Sequence, residues 1–350
     1  MKGVILHGGH GTRLRPLTHT GPKQLLPIAN KPMSQYCLES LRDGGMEEIA
    51  VIIGGNGHQK VVDYYGDGEK FGVRITYILQ DEPRGIAQAV GLCKEFVGDD
   101  RFTVFLGDNI LKKGIGGYAA KFEESGEDAH LLLCKVDNPS RFGIADLDRD
   151  GNITKIMEKP EDPPTDLAVT GIYFLTPRIF DIIDRTSPSA RGELEITDAL
   201  HNLLKAGGRI GYDTVNDYWK DTGTPGDIIH ANRAILEDME GTDPGGASAP
   251  GKAVIMGKGT RADPGSKIIG PVIIGEDCVI GAGATVGPNV SVGDGTVLER
   301  CTIRDSIIMS GCKVDNVGVN DSIMSACSSV IGGESEERVF LLGEGTKITL

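Results

Sequence analysis

Up to about residue 240, short β-branched and apolar runs alternate with stretches whose apolar residues recur at helical spacing. The runs predict strands at Gly3–Leu6, Ile49–Ile53, Arg74–Leu79, Phe102–Leu106 and His130–Val136. The helical spacing falls between them, near Met33–Asp43, Ile86–Val97 and Gly116–Glu124. Strands joined by crossover helices make a mostly parallel sheet covered on both faces, a Rossmann-like α/β domain. Ligands of such sheets bind beyond the carboxyl ends of the strands. That rim would carry Gly8–Arg13, after the first strand, and Gly107-Asp108-Asn109, after the fourth. Two later runs, Phe142–Leu147 and Ile153–Met157, flank Asp150-Gly151 and read as a hairpin. Thr224, Pro225 and Asp227 read as the N-cap, first residue and acidic first turn of a further helix.

The pattern then changes. Residues 241–251 have no apolar period and are dense in Gly and Pro, the composition of a linker. Beyond them Met256, Ala262, Ile268, Ile274, Ile280, Val286, Val292 and Leu298 stand six apart, each with a small or branched residue four positions on. A period of six with one inward apolar residue per short strand is the mark of a parallel β-helix. Gly275, Gly281, Gly287 and Gly293 each follow one of the inward residues, a form that resembles the left-handed hexapeptide type. The phase slips after Leu298 and recurs less cleanly through Ile308 and Val314. Glu334–Leu350 reads as a cap, because a solenoid end cannot be left open. The expected division is thus an α/β domain over 1–240, a linker over 241–251 and a β-helix domain with its cap over 252–350.

Composition narrows the partners. No apolar run reaches the ~18 residues of a membrane span, and Met1–Leu6 gives way to glycines too early for a signal peptide. Seven cysteines without a Cys-x-x-Cys point to reduced thiols in the cytoplasm, not to a disulfide frame or a zinc site. A formal net charge of −14 argues against nucleic acid and anionic membrane as partners. If such a chain binds a polyphosphate, it must gather cations locally.

One stretch does so. Leu6-His7-Gly8-Gly9-His10-Gly11-Thr12-Arg13-Leu14-Arg15-Pro16-Leu17-Thr18 precedes Pro22-Lys23-Gln24-Leu25-Leu26-Pro27. Glycines let backbone N–H groups approach a phosphate chain, and Arg13 and Lys23 carry charge that persists at neutral pH. This reads as a site for a nucleoside triphosphate and for chemistry at one of its phosphates. It is not a Walker A loop, since no Gly-Lys-Ser/Thr follows at the right spacing. Alone, Gly-Gly-x-Gly-Thr is equally a tight strand-to-helix turn. With Pro-Lys-x-Leu-Leu-Pro behind it, the stretch resembles the sugar-1-phosphate nucleotidyltransferases, and among them the long-form glucose-1-phosphate thymidylyltransferases, over about the whole chain.

The resemblance implies roles for particular residues. Leu6, Gly8, Gly9, Gly11, Thr12 and Arg13 would contact the nucleotide. Gln80, with Gly85 in Gly85-x-Ala87-Gln88-Ala89, would read the pyrimidine base, as amides offer donor and acceptor together. Asp108 and Asp221 would hold Mg²⁺. Asn109, Gly143, Glu158, Lys159 and Val169 would hold the sugar phosphate. Arg13, Lys23 and Lys159 would be the catalytic cations. Taken singly, Gln80 is equally a solvated strand-end amide, Glu158–Lys159 a hairpin ion pair, and either aspartate a turn residue. His7 stands where the family often has Ala or Ser, and it is given no chemical role.

The implied reaction joins dTTP to α-D-glucose 1-phosphate and yields dTDP-glucose and pyrophosphate. The sugar phosphate, with a second pKa near ~6, is mostly dianionic at neutral pH and needs no general base. Lys23-Gln24-Leu25-Leu26-Pro27 resembles the thymidylyl branch. UTP stays an alternative, because one methyl in an apolar pocket is worth only ~1–3 kcal/mol. Hexapeptide β-helices also serve acyltransferases, but all seven histidines precede the linker. The β-helix is therefore read as an assembly module for a homo-oligomer. A non-catalytic regulatory subunit would be expected to have lost lysines or metal carboxylates, and these are intact.

Overall fold

The computed structural model of the chain describes residues 1–9, 11–55, 57–240, 253–332 and 336–350. The linker read at 241–251 lies outside them. Contacts divide the chain into two compact units. One comprises Met1–Gly9 and Ser34–Asp221, the other His10–Met33 and Thr222–Leu350.

In chain order, β1 (Lys2–Leu6) is followed by two short strands, β2 (Pro27–Ile28) and β3 (Lys31–Pro32), then α1 (Met33–Asp43), β4 (Glu48–Ile53), α2 (His58–Tyr65) and β5 (Arg74–Leu79). Next come α3 (Ile86–Gly91), α4 (Lys94–Val97), β6 (Phe102–Leu106), β7 (Asn109–Leu111), α5 (Gly116–Glu124) and β8 (Ala129–Lys135). β9 (Gly143–Leu147), β10 (Ile153–Glu158), β11 (Leu167–Leu175), α6 (Arg178–Ile183), α7 (Ile196–Lys205), β12 (Ile210–Thr214), β13 (Trp219–Asp221) and α8 (Pro225–Asp238) complete the series.

The first unit is built on a sheet that has nine strands among the described residues. β1 lies between β4 and β6, parallel to both, with Leu6 opposite Ile52 and Leu106. β5 extends the parallel set. These strands read as unbroken apolar runs because both faces are covered: Val4, Ile5, Ala50, Val51 and Val104 are all buried. Beyond β6 the pairing reverses, and β11 runs antiparallel to β6, β8 and β9. The sheet is therefore mixed. β9 and β10 form the hairpin read from the sequence. At its turn Asp148 Oδ1 accepts from the N–H groups of Asp150 and Asn152, while Gly151 takes φ 83°. The helix expected over 86–97 is two, since the chain tightens between them and Cys93 N–H donates to Val90, three residues back.

In the second unit, Thr224 caps α8 by accepting from the N–H of Asp227, with Pro225 in the first turn. The C-terminal strands form parallel sheets of six, six and five among the described residues, consistent with a left-handed β-helix. Val254 pairs with Val272 and Val272 with Val290, coils of eighteen residues or three hexads. Ser291 then pairs with Ile307 and Val297 with Lys313, coils of sixteen. The phase slip after Leu298 is thus a shortened coil, not an end of the solenoid. Arg300, Asp305, Asn316 and Asp321 turn its corners with φ between 44° and 54°. Asp and Asn tolerate that region better than most residues. Glu337–Arg338, Leu341–Leu342 and Lys347–Thr349 add the last strand to each sheet, so the segment read as a cap is largely the terminal coil.

The inward row is buried from Ile274 through Leu298. Met256 is 40% exposed, because the first coil has a neighbour on one side only. Leu298→Ala should therefore cost about 2–5 kcal/mol in urea unfolding, against about 0.5 kcal/mol or less for Met256→Ala. Equal losses would contradict this placement of the two side chains.

Candidate active site

β1, β4 and β6 run parallel, so they end on one edge of the sheet. His7-Gly8-Gly9, Gly54 and Gly107-Asp108 follow them there, and Gln80 follows β5. Gln80 is 4% exposed, and its Nε2 donates to Gln88 Oε1 at 2.6 Å. A Cβ on Gly8 would lie 2.3 Å from Gln80 Oε1, and one on Gly54 would lie 2.5 Å from the Gln80 carbonyl. Glycine at these positions is what lets the Gln80 amide lie against the edge. Gly85 takes φ 113°, and a Cβ there would meet the Leu194 carbonyl at 2.3 Å. Both the conformation and the space demand glycine.

The metal carboxylates read from the sequence come together through a short ladder. β7 and β13 are antiparallel, with Asp221 opposite Asn109, the residue after Asp108. Asn109 is buried. Its Oδ1 accepts from Trp219 Nε1 at 2.7 Å and from Gly171 N–H at 3.2 Å, and its Nδ2 donates to Asp108 Oδ1 at 3.0 Å. Asn109 thus ties β11, β13 and Asp108 to one point. The Tyr173 phenol is pushed well up, first by burial and then by the fields of Glu158, Asp108 and Asp221. Three carboxylates therefore bear on one buried ring. Two aspartates are a fitting oxygen donor set for Mg²⁺, which usually takes one or two carboxylates and completes its shell with phosphate and water. No group of three or more His, Cys, Asp or Glu suited to a metal stands among the described residues. Water and phosphate oxygens would complete the shell.

His7 is fully buried, edge-on to the Tyr65 ring at 6.0 Å. Neither ring nitrogen finds a hydrogen-bond partner among the described residues. Burial lowers its pKa to about 3, with Asp108 opposing. The ring is therefore neutral at physiological pH and brings no charge to a phosphate.

Of the sugar-phosphate candidates, Gly143, Glu158 and Lys159 lie at the end of β10, while Asn109 is on β7 and Val169 on β11. Lys159 takes φ 40°, uncommon for a residue with a Cβ, and its N–H donates to the Phe142 carbonyl at 3.0 Å. Its Nζ lies 3.2 Å from Glu158 Oε1. Arg191 Nη2 lies 3.0 Å from the same oxygen and 2.8 Å from Glu195 Oε1. Thr197 Oγ1 donates to Glu158 Oε2 at 3.0 Å. A Cβ on Gly143 would stand 2.5 Å from Thr197 Cγ2, so glycine keeps this corner open. The Phe142 and Trp219 rings meet edge to face at 5.6 Å. Val169 is nearly buried on β11, opposite Leu133. Arg191, Thr197 and Tyr173 are absent from the sequence reading. Arg191 stands beside Gly192 in a polar loop, which is a weak signal, and no local pattern links it to Glu158.

The cationic loop belongs to the second unit. Thr12–Leu14 and Lys23–Leu25 are 3₁₀ turns. Gly11 precedes the first with φ 58°, and its carbonyl accepts from Thr18 Oγ1 at 2.8 Å. A Cβ on Gly11 would lie 3.0 Å from Thr18 Cγ2 and 3.5 Å from Lys23 Cβ. Gly11, Thr12, Arg13 and Lys23 therefore share one loop. Leu14 and Leu17 are its buried anchors, and Thr12 and Arg13 are exposed. Leu6, Gly8, Gly9, Gln80, Gly85 and the carboxylates lie in the first unit.

Comparison with known proteins agrees in family. Residues 2–238 match the nucleotidyl transferase family and residues 268–349 the GMPPB C-terminal domain family. The low-salt glycan biosynthesis nucleotidyltransferase Agl11 of Haloferax volcanii is 44% identical over the full length of both chains. A glucose-1-phosphate thymidylyltransferase of Streptomyces antibioticus is 41% identical, covering 91% of this chain and 89% of its own. Among solved structures, a UDP-glucose pyrophosphorylase complexed with UDP-glucose is 27% identical, with a TM-score of 0.61 over 68% of this chain and 99% of its own. Among the described residues no helix is long and apolar enough to cross a membrane.

The His7 environment has a pH consequence. His7 stays neutral when folded but protonates near its ordinary 6.5 when unfolded, so the unfolded chain binds the extra proton between about pH 6.5 and 3. Its contribution is complete above pH 6.5 and falls as pH drops through that window, by at most about 1.4 kcal/mol per pH unit. In urea unfolding at pH 7, 6 and 5, His7→Ser should lose stability less steeply on acidification than the parent chain. Parallel slopes would mean that the ring is solvated.

Proposed function

The chain belongs to the nucleotidyl transferase family and is an enzyme, and we propose that it transfers the thymidylyl group of dTTP to α-D-glucose 1-phosphate, releasing pyrophosphate. The observation that carries the reading is the ladder that pairs Asp221 with Asn109, the neighbour of Asp108. The Streptomyces relative and the motif Lys23-Gln24-Leu25-Leu26-Pro27 support dTTP.

Asp108 and Asp221 would hold one Mg²⁺, which when bound withdraws charge from the α-phosphate. The chain's own groups do the rest. Lys159 and Arg191 draw the sugar phosphate, and Glu158 sets the position of both cations. Arg13, Lys23 and the N–H groups of the glycine loop offset the charge of the triphosphate and of the departing pyrophosphate. Gln80 reads the base edge. A sugar-phosphate oxygen attacks the α-phosphorus in line as the bond to the pyrophosphate oxygen breaks. The attacking phosphate needs no proton removed, and the neutral, buried His7 is not placed as a base. Catalysis is then alignment plus charge stabilisation. Inversion at phosphorus and no covalent enzyme intermediate follow. Free thiols at all seven cysteines fit a cytoplasmic protein, and the β-helix would assemble a homo-oligomer.

A uridylyl reading is supported by likenesses to a UDP-glucose pyrophosphorylase and to a UTP--glucose-1-phosphate uridylyltransferase. Thymine and uracil share a pairing edge, so some UTP turnover is expected. Pyrophosphate release, measured for dTTP, UTP, ATP and GTP with several sugar 1-phosphates, separates the readings. Silence with both dTTP and UTP in the presence of glucose 1-phosphate would sink them together.

Two substitutions test the roles. Lys159→Ala should raise KM for glucose 1-phosphate about ten- to hundred-fold, the worth of one charge-assisted hydrogen bond, and leave KM for dTTP nearly unchanged. Asp108→Asn should instead depress kcat, by more than about a hundred-fold, in saturating Mg²⁺. Near-normal turnover of that variant would remove Asp108 from the metal site.

A further inference from the structure

The cationic loop leads into a turn that one of its two central residues, Ala29, does not favour. Between β2 and β3, Ala29 takes φ 48° and Asn30 φ 61°. Two-residue turns of this hand prefer Gly, Asn or Asp at both positions, and alanine gains nothing there from its side chain. Ala29 is also buried, so its N–H needs a partner inside the protein. That partner is Asn232 on α8, whose Oδ1 accepts the N–H at 2.8 Å. Asn30 Nδ2 donates to the Val292 carbonyl at 2.7 Å.

Both bonds lead to the β-helix. Asn232 is 1% exposed, and the same Oδ1 accepts from Ser291 Oγ at 2.6 Å. Ser291 is fully buried on Val290–Val292. The next residue of α8, Arg233, pairs with Asp305, which also accepts from Asn289 Nδ2 at 2.8 Å. A second contact falls on the other flank of the loop. A Cβ on Gly343 would stand 3.2 Å from the Pro16 carbonyl, and Gly343 follows Leu341–Leu342, a strand of the same sheet as Val290–Val292. The hairpin in turn grips the Lys23 turn, since Leu26 N–H donates to the Lys23 carbonyl and Met33 N–H to that of Leu26.

We propose that Asn232 is a positioning residue for the loop that carries Arg13 and Lys23, and that the β-helix sets the geometry of that loop through Ser291 and Val292. The physical reason is economy of acceptors. One buried oxygen serves two donors, one from the loop and one from the β-helix. Removing it leaves both donors buried and unsatisfied, and the turn at Ala29 then keeps the Asn30 bond to Val292 as its remaining side-chain tie to the β-helix. The kinetic part of the inference rests on the reading of Arg13 and Lys23 as triphosphate ligands.

The test uses the full chain with Asn232→Ala, Asn232→Asp, Asn30→Gly and Ser322→Ala. Asp keeps an oxygen acceptor for both donors. Asn30→Gly keeps the turn but loses the bond to Val292. Ser322 is a control, fully buried in the β-helix and bonded to Phe340 N–H and the Asn320 carbonyl. Amide exchange over residues 11–32 should accelerate about ten-fold or more in N232A, stay within about three-fold of the parent in N232D, and be unchanged in S322A. Unchanged exchange in N232A overturns the proposal, whatever the activity. KM for the nucleoside triphosphate should rise about ten-fold in N232A and N30G, while KM for the sugar phosphate stays within about two-fold. If both KM values hold while only the melting temperature falls, Asn232 is structural and the proposal fails. Should N232A not fold, N30G leaves α8 intact and decides the question by the same two measurements. An inactive parent chain would defeat the proposed function, and loop exchange would still decide the coupling.

Discussion

The ladder between Asn109–Leu111 and Trp219–Asp221 is the constraint on which the candidate site depends. Two carboxylates repel each other, and bringing them close needs a scaffold that is stable without the metal. Backbone pairing supplies it, and Asn109 completes it. That amide fixes Asp108 on one side and accepts from Trp219 and Gly171 on the other. Orientation of Asp108 is therefore set by β11 and β13 together, not by the flexibility of its own loop.

Several glycines act by leaving room for a particular neighbour. Gly8 admits the Gln80 amide, Gly143 admits Thr197, Gly171 admits Asn109, and Gly85 admits the Leu194 backbone. Each also falls in or beside a motif read from the sequence as substrate-binding. A glycine in such a motif thus also leaves room for the protein's own atoms to reach their place.

The cations are held differently from the carboxylates. Lys159 and Arg191 share Glu158, and Glu195 and Thr197 complete that network. A shared carboxylate keeps two positive groups close together. Arg13 and Lys23 stand on the loop of the second unit. Their loop is anchored by Leu14 and Leu17 and by the hairpin that ends on Asn232. The β-helix is thereby joined to that loop.

Much of the fold was legible along the chain. The strands and helices of the parallel half appear as runs and periods because each strand is buried on both faces and each helix on one. The hexad repeat identified the β-helix because the inner coils bury one side chain per hexad, as the row from Ile274 through Leu298 does. Local signals failed where pairing is decided at a distance. Antiparallel β11 looks like any buried strand, since apolar character does not encode direction, and the sixteen-residue coils became evident only from register. The motifs named the site residues by resemblance, yet Arg191 and Tyr173 escaped, because their partners lie in other elements. Sequence alone determined which residue types the chain carries and the periods that set its local structure. Only the tertiary structure decided which of them meet, because a hydrogen bond such as that from Asn109 to Trp219, or from Asn232 to Ala29, joins segments whose spacing along the chain carries no trace of the contact.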